Sequence, residues 1–361
     1  MAERERVLMK GNEAVAEGAV RAGCRFFFGY PITPQNEIPE YMSGRMGQVG
    51  GTFIQAESEV AAINMVYGAA GAGARVMTSS SSPGISLKQE GISYLAAARL
   101  PCLIVNVVRG GPGLGGIQPA QSDYFQATRG GGHGDYRTVV LGPASVQEMF
   151  DLAQESFDIA DRYRVPVMIM ADGILGQMME PIVMEGETVD PESLPPKPWA
   201  TTGRGERDEG NLINSLYLDP DDLKEHNETL QAVYREIERA EVRWEEDTRP
   251  DQDLLVVAYG TMARIASRAV RMAREEGLNV GLFRPISLWP YPYRALKEAL
   301  GKAQKVLVVE MSHGQMVEDV RLGLGGEPSI HFMGQAGVVF SFREILDSIR
   351  DTVSSEGGQP T

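Results

Sequence analysis

The sequence has few of the residues from which metal clusters and disulfide frameworks are built. It contains two cysteines, Cys24 and Cys102, and four scattered histidines among 361 residues. Two thiols are too few for an iron–sulfur cluster, which needs about four ligands, and too few for a disulfide scaffold. Both cysteines stand in apolar surroundings. We therefore expect buried free thiols of a reducing compartment and no metal site in this chain.

Positive charge and long apolar runs are scarce as well. There are 34 basic against 49 acidic residues, a net charge of -15. Such a surface repels phosphate backbones, which argues against nucleic-acid binding. The apolar runs, such as 103–108, fall well short of the roughly 20 residues that span a bilayer, and the charged first residues do not resemble a signal peptide. We expect a cytoplasmic protein that binds neither nucleic acid nor a membrane.

The pattern along the chain predicts two α/β units joined by a polar segment. Residues 7–185 alternate helical patterns with nearly continuous apolar strands, which is typical of a doubly wound parallel sheet. Residues 186–252 are predicted as a charged linker with a long helix that begins near Asp219. The apolar stripe of this helix either packs on the same chain or binds a partner; it consists of Leu223, Leu230, Val233, Ile237, Ala240 and Trp244. Residues 253–345 predict a second, smaller α/β domain, in which 284–292 are predicted as a turn.

Three residues follow predicted strands or open predicted helices in positions suited to ligand binding. Thr33 stands between two prolines just after a strand, where α/β sheets bind ligands, or it merely caps the next helix. Glu59, with Glu57 as its competitor, begins a helix of small residues, where a carboxylate is favoured; it either stabilises the helix or faces a ligand. Arg109 ends an apolar strand and needs an anion, from either the protein or a substrate.

Other motifs favour structural roles. Gly111, Gly113 and Gly116 satisfy a dinucleotide-binding spacing, but the run leads into more loop instead of opening a helix. Asp172 and Gly173 are better explained as a turn at a strand end than as part of a metal site. The glycine loop around His133 is either a catalytic loop or a flexible turn.

Several segments together carry a resemblance to a known family. The motif Gly29-Tyr-Pro-Ile-Thr-Pro and the segments 10–14, 56–62, 79–84 and 108–113 resemble the 2-oxoacid:ferredoxin oxidoreductases. The likeness extends from residue 7 to about residue 345, and segments 118–125 and 130–136 resemble the 2-oxoisovalerate branch. The fold that this resemblance implies is a pyrimidine-type thiamine-diphosphate-binding domain followed by a transketolase-C-terminal-like α/β domain.

The resemblance also implies a reaction and a set of roles. The expected activity is oxidative decarboxylation of a branched-chain 2-oxo acid with coenzyme A, yielding acyl-CoA, CO2 and reduced ferredoxin; pyruvate and 2-oxoglutarate are the alternative substrates. Glu59 corresponds to the carboxylate that bonds the pyrimidine ring of thiamine diphosphate. Pro31 and Ile32 are expected to bind the same cofactor, and Thr33 and Arg109 to bind the substrate carboxylate.

The resemblance further implies a division of labour between subunits. A partner subunit is expected to bind the diphosphate and Mg²⁺, and iron–sulfur clusters are expected in that partner or in a ferredoxin-like subunit. The second domain is left with two possible roles, holding coenzyme A or forming a subunit interface. A non-catalytic scaffold that keeps the fold is the alternative from another functional class.

Overall fold

The computed structural model describes residues 6–185, 187–326 and 328–355. The strands are β1 (Arg6–Lys10), β2 (Phe26–Gly29), β3 (Thr52–Gln55), β4 (Val76–Ser80), β5 (Cys102–Val108), β6 (Val139–Leu141), β7 (Pro166–Asp172), β8 (Met179–Val183), β9 (Trp244–Asp247), β10 (Leu254–Ala258), β11 (Val280–Pro285), β12 (Ser287–Trp289), β13 (Lys305–Glu310) and β14 (Ser329–Gly334).

The helices alternate with these strands for most of the chain. They are α1 (Gly11–Arg21), α2 (Glu37–Gln48), α3 (Glu59–Gly71), α4 (Pro83–Ala97), α5 (Tyr124–Arg129), α6 (Val146–Tyr163), α7 (Gly173–Gln177), α8 (Pro220–Ala240), α9 (Gly260–Glu275), α10 (Tyr293–Leu300), α11 (Met316–Leu324) and α12 (Phe342–Ser354).

The larger sheet, over the described residues, has seven strands in the order β12-β6-β7-β5-β4-β2-β3. Its strands pair in parallel except β12, which is antiparallel to β6. Strands β4, β5 and β7 are buried along their whole length, because helices cover both faces. Helix α1 contacts α2 and α6, and α3 contacts α4, the grouping on two faces that right-handed crossovers predict for this strand order. The predicted doubly wound α/β fold is confirmed.

The smaller sheet has the order β14-β13-β10-β11-β9 in the described part of the chain. Its edge strand β9 lies inside the segment predicted as a linker. A second short strand, β12, lies inside 284–292, which the sequence predicts as a turn; the turn prediction is wrong for Ser287–Trp289. Each of these strands has only three or four residues, too few to show a period. Because β12 pairs with β6, the second unit contributes a strand to the first sheet.

The long helix α8 packs on the body of the same chain. Asp219 is its N-cap and accepts a hydrogen bond from the backbone N–H of Asp221 at 2.8 Å. Leu230, Tyr234 and Ile237 are buried in the main core. Of the stripe predicted from the sequence, Leu223 is exposed and Trp244 belongs to β9 instead.

The two cysteines are buried free thiols, as predicted. Burial raises the pKa of Cys24 and of Cys102 to about 12, so neither is reactive at neutral pH. Within the described ranges, no helix is both long and apolar enough to cross a bilayer.

Candidate active site

The residues of interest gather where parallel strands of the larger sheet end. The chain runs from β2 outward to β3 and then crosses back over β2 to form β4. This reversal makes the carboxyl ends of β2 and β4 a topological switch point, the place where open α/β sheets bind ligands. The loops that follow β2, β3, β4 and β5 all emerge at this edge.

The loop after β2 is held in place by a buried glutamine. The Gln35 side chain accepts a hydrogen bond from the Ser79 hydroxyl at 2.5 Å and donates one to the Tyr30 carbonyl at 3.3 Å. Pro31 and Thr33 are exposed on this loop and Ile32 is half-buried. The N-cap of α2 is Asn36, so Thr33 is not the cap of that helix. The loop therefore presents Thr33 at the edge of the sheet.

The loop after β3 leads directly into α3, with one buried and one exposed glutamate. Glu59 is the first residue of α3 and only 6% exposed, whereas Glu57 is exposed. Ser58 is the N-cap and accepts a hydrogen bond from the backbone N–H of Ala61 at 3.1 Å. Among the described residues, none donates a hydrogen bond to the Glu59 carboxylate. A buried carboxylate at a helix N-terminus is thus left open to a ligand.

The loop after β4 carries buried hydroxyls that lack a partner in the described part of the chain. The Oγ atoms of Ser80 and Ser81 are buried and make no hydrogen bond there. At Gly84, a Cβ atom would fall 2.1 Å from the Ser80 Oγ and 2.8 Å from the Glu59 Oε1. Ser82 has the left-handed φ of 31°, a strained value of the kind found at functional sites. The Oγ atoms of Ser80 and Ser81 and the Glu59 carboxylate form a group that we call the polar corner. Glycine at position 84 leaves this corner open.

Arg109 is buried at the end of β5 and binds carbonyl groups rather than a carboxylate. Its Nη1 donates to the Thr33 carbonyl and its Nη2 to the Leu114 carbonyl, both at 3.0 Å. Its Nε is buried and has no hydrogen-bond partner among the residues that the structure describes. Neutral carbonyls orient the guanidinium but do not neutralise it, so its charge remains available for an anion.

A buried lysine that the sequence analysis missed lies next to these groups. Lys88 of α4 is completely buried, and its Nζ donates to the Thr78 hydroxyl at 2.6 Å. Burial lowers its pKa to about 7, although the charge of Glu59 acts in the opposite direction. Leu87 and Glu90 nearby are exposed, whereas the adjacent Gln89 is buried. Since a lysine in such a polar run is mostly exposed, the local pattern does not indicate that Lys88 is buried.

The remaining motifs have structural explanations in the described part of the chain. The glycine-rich run closes on itself through the Gly110 N–H to Gln118 carbonyl bond at 2.8 Å, and the next helix begins only at Tyr124. Asp172 caps α7. His133 is exposed on its glycine loop. No group of three or more His, Cys, Asp and Glu side chains that could hold a metal is found in these residues.

The fold and the site define a class, a doubly wound domain with an acidic and a basic group at its switch point, followed by a second α/β unit. Family comparison agrees with that class. Residues 17–246 match the pyruvate flavodoxin/ferredoxin oxidoreductase, thiamine-diphosphate-binding family, and residues 252–345 match pyruvate:ferredoxin oxidoreductase core domain II.

Individual relatives cover nearly the whole chain. It is 51% identical to the ketoisovalerate oxidoreductase subunit VorB of Methanothermobacter thermautotrophicus over 95% of this chain and 97% of the relative. It is 38% identical to the 2-oxoglutarate synthase subunit KorA of the same organism over 96% and 98% of the two chains. The chain belongs to the 2-oxoacid:ferredoxin oxidoreductase family, as the sequence motifs indicated.

A solved structure shows the same fold. The 2-oxoglutarate:ferredoxin oxidoreductase from Magnetococcus marinus, with 2-oxoglutarate, coenzyme A and succinyl-CoA bound, superposes with a TM-score of 0.87 at 26% identity. The match covers 97% of this chain and 66% of that one.

The thiamine-diphosphate-binding domain of this family is present here, and the polar corner fits one end of that cofactor. An aminopyrimidine ring offers nitrogen atoms and an amino group, which need a carboxylate and hydroxyl oxygens as partners. Glu59 and the unpartnered Ser80 and Ser81 hydroxyls supply such atoms in a buried place. The residues present therefore fit the pyrimidine end of the cofactor.

Proposed function

We propose that the chain is the pyrimidine-side subunit of an oxidoreductase that converts a branched-chain 2-oxo acid and coenzyme A to acyl-CoA and CO2 and passes electrons to ferredoxin. The observation that carries the proposal is the buried Glu59 carboxylate, which accepts no hydrogen bond from any described residue, at the switch point of a thiamine-diphosphate-binding domain. Thiamine diphosphate, when bound, supplies the electron sink that decarboxylation of a 2-oxo acid requires.

Each site residue has a proposed task. Glu59 holds a proton between its carboxylate and the pyrimidine ring nitrogen, a role for which a dry environment is suited. Pro31 and Ile32 form the loop surface that the cofactor contacts. Thr33 donates its hydroxyl to the oxo acid carboxylate, and Arg109 provides the positive charge, since its partners among the described residues are neutral carbonyls and not a carboxylate.

The choice of a branched-chain acid is supported by a cavity beside Thr33. This cavity of about 680 Å³ is lined in part by Ile117, Pro119, Ile174 and Met178, and no lysine or arginine is among its lining residues. A dicarboxylate such as 2-oxoglutarate needs a second cation, whereas a branched alkyl chain needs apolar contact.

Glu37, on the wall of the same cavity, strengthens the discrimination. Burial raises its pKa, but hydrogen bonds from Asn12, Lys10 and Gln177 outweigh that effect, and the pKa lies below its ordinary value. The carboxylate is therefore charged at neutral pH and pairs with the Lys10 ammonium at 3.0 Å, so that this cation is already engaged and not free for a second substrate carboxylate. The 51% identity with the ketoisovalerate relative supports the same substrate class.

Partner subunits complete the proposed enzyme. One partner binds the diphosphate and Mg²⁺, and iron–sulfur clusters in that partner or in a ferredoxin-like subunit carry the electrons. The boundaries 7–185, 186–252 and 253–345 are proposed as the functional division of this chain, and the cytoplasm as its location.

The experiment is an anaerobic assay of the co-purified complex. Coenzyme A-dependent dye reduction is followed with 2-oxoisovalerate, pyruvate and 2-oxoglutarate side by side. The proposal expects the highest kcat/KM with 2-oxoisovalerate. Preference for another acid keeps the reaction and rejects the substrate class, and no reduction by a complex loaded with thiamine diphosphate and clusters favours a non-catalytic scaffold.

A further inference from the structure

Lys88 is a charged group inside the protein, where lysine is almost never found without a charged partner. It is completely buried on α4. Its Nζ donates hydrogen bonds to the Thr78 hydroxyl at 2.6 Å and to the Ser79 carbonyl at 3.1 Å. The Thr78 hydroxyl in turn donates to the Phe28 carbonyl, so it can only accept from Lys88. Both acceptors are neutral, and hydrogen bonds to them do not compensate a buried charge.

The groups that face Lys88 come from three elements. From α3 comes the carboxylate of Glu59, whose charge acts on Lys88. From β5 comes the Cys102 thiol, which is neutral because burial raises its pKa to about 12. From β4 come the uncharged oxygens of Thr78 and Ser79. Among the described residues, Glu59 is the acid whose charge acts on Lys88, although burial has the larger effect on the lysine.

Packing of α3 against α4 brings this pair together. The first turns of the two helices are in contact. This is shown by Gly84, where an added Cβ would fall 2.8 Å from the Glu59 Oε1. Farther along, a Cβ at Gly91 would fall 2.5 Å from the Ile63 side chain, so the helices stay side by side. Lys88 lies one turn beyond Gly84 on the same face of α4. The ammonium is thus placed inward of the carboxylate, away from the loop edge.

We propose that Lys88 is the positioning residue of Glu59, an inference that rests on the proposed function. It attracts the carboxylate inward by charge while making no hydrogen bond to it, so both carboxylate oxygens stay free for the pyrimidine ring of the cofactor. A direct Lys–Glu hydrogen bond would occupy one oxygen and turn it away from the ligand. The two neutral acceptors on β4 serve to hold the ammonium back from such a bond.

The consequence is a pH dependence of the site. Lys88 has its pKa at about 7, so it is protonated below that value and loses its charge above it. With the charge gone, the inward attraction on Glu59 disappears. We expect the activity of the wild-type complex to fall as the pH rises above neutrality. We call this fall the alkaline step, and a variant without the lysine should lack it.

The test uses the assembled complex carrying Lys88→Met, Lys88→Gln, Glu59→Gln or the Glu59→Gln/Lys88→Met pair. The primary measurement is exchange of the thiazolium C2 proton of bound thiamine diphosphate in deuterated buffer, without oxo acid. Steady-state kcat and KM across the neutral range are the second measurement. Lys305→Met is the matched control, because that lysine binds carbonyls of Val353 and Ser355 at the far end of the second unit.

Lys88→Met is expected to slow exchange and to lower kcat by about tenfold, the factor that one pKa unit represents, with little change in KM and no alkaline step. In the Glu59→Gln background the same substitution should have no further effect, since interacting residues are not additive. Folding of each variant is checked by circular dichroism. If Lys88→Met fails to fold, Lys88→Gln, which keeps a donor for Thr78, takes its place, and the same result is expected.

Two results would overturn the proposal. The first is a folded Lys88 variant with wild-type exchange and wild-type pH dependence. The second is an equal loss with and without Glu59, which assigns Lys88 to packing alone. In both cases the wild-type complex still reduces dye with a 2-oxo acid, whereas failure of the proposed function itself would appear as an inactive wild-type complex.

Discussion

Arg109 and Thr33 are joined by a hydrogen bond of 3.0 Å from the guanidinium to the Thr33 carbonyl, across 76 residues of sequence. The bond uses the main chain of Thr33 and leaves its hydroxyl available. The other arm of the guanidinium holds the Leu114 carbonyl. Arg109 therefore fixes both loops that we propose surround the substrate carboxylate.

Replacing Thr33 with Val tests the hydroxyl alone, because the main-chain bond to Arg109 is kept. A hydrogen bond to a charged group contributes about 1.5–3 kcal/mol, so we expect KM for the oxo acid to rise roughly 10- to 100-fold. Binding of thiamine diphosphate should not change. Thr202→Val, at an exposed threonine, is the control, and an unchanged KM in Thr33→Val rules out the proposed role.

Replacing Arg109 with Lys keeps the charge and removes the planar fork that reaches two carbonyls. We expect kcat/KM to fall by about tenfold or more, together with faster amide hydrogen exchange in the loop 110–118. Both effects follow from loss of the tie between the two loops. Normal exchange in that loop and normal kinetics would argue against this function of the guanidinium.

Gly84 and Gly68 form a matched pair for the polar corner. A methyl group at Gly84 collides with the Ser80 Oγ and the Glu59 Oε1, whereas at Gly68, in α3, it meets nothing within 4 Å. Gly84→Ala should weaken thiamine diphosphate binding in the complex by at least about tenfold. Gly68→Ala should bind normally and gain about 0.5–1 kcal/mol of stability. Calorimetric titration distinguishes the two, and equal affinities would exclude the corner as the cofactor site.

Glu17 provides a pH-dependent contribution to stability. Burial raises its pKa, but hydrogen bonds from Arg45 and Tyr41 outweigh this, so the pKa is lower than its ordinary value of 4.5. A depressed acid pKa stabilises the fold above the unfolded value, and the stability is lost as the pH falls through the folded value. Glu17→Gln should cost about 1.5–3 kcal/mol at neutral pH and progressively less in acid. Urea unfolding of the chain at several pH values measures this; a cost that does not depend on pH contradicts it.

Much of the fold could be predicted because its strands and helices are long and their burial is extreme. The apolar run of β5 is typical of a buried strand, and the apolar stripe of α6 is typical of an amphipathic helix. The short strands β9 and β12 depend on distant pairing partners, which no local pattern reveals. For the same reason the sequence does not show that β12 joins the sheet of the other unit.

Only those parts of the site that lie within single segments of the chain could be predicted from the sequence. Thr33 and Arg109 are predicted from their places after strands and Glu59 from its place at the start of a helix, and the structure puts their loops at one edge. The difference in burial between Glu57 and Glu59 became visible only when α3 was packed on α4. Lys88 was missed because its surroundings in sequence are polar, and the carbonyl partners of Arg109 are main-chain atoms that carry no sequence signal.

The most direct test of the account compares Glu59→Gln with Glu57→Gln in the assembled complex. The two substitutions make the same chemical change two positions apart, at one buried and one exposed glutamate. Coenzyme A-dependent dye reduction with 2-oxoisovalerate is the measurement. We expect a loss of about 10²- to 10⁴-fold in kcat for Glu59→Gln, with the complex still assembled, and wild-type activity for Glu57→Gln. An active Glu59→Gln complex would contradict the central claim that this chain supplies the acid–base carboxylate of the cofactor.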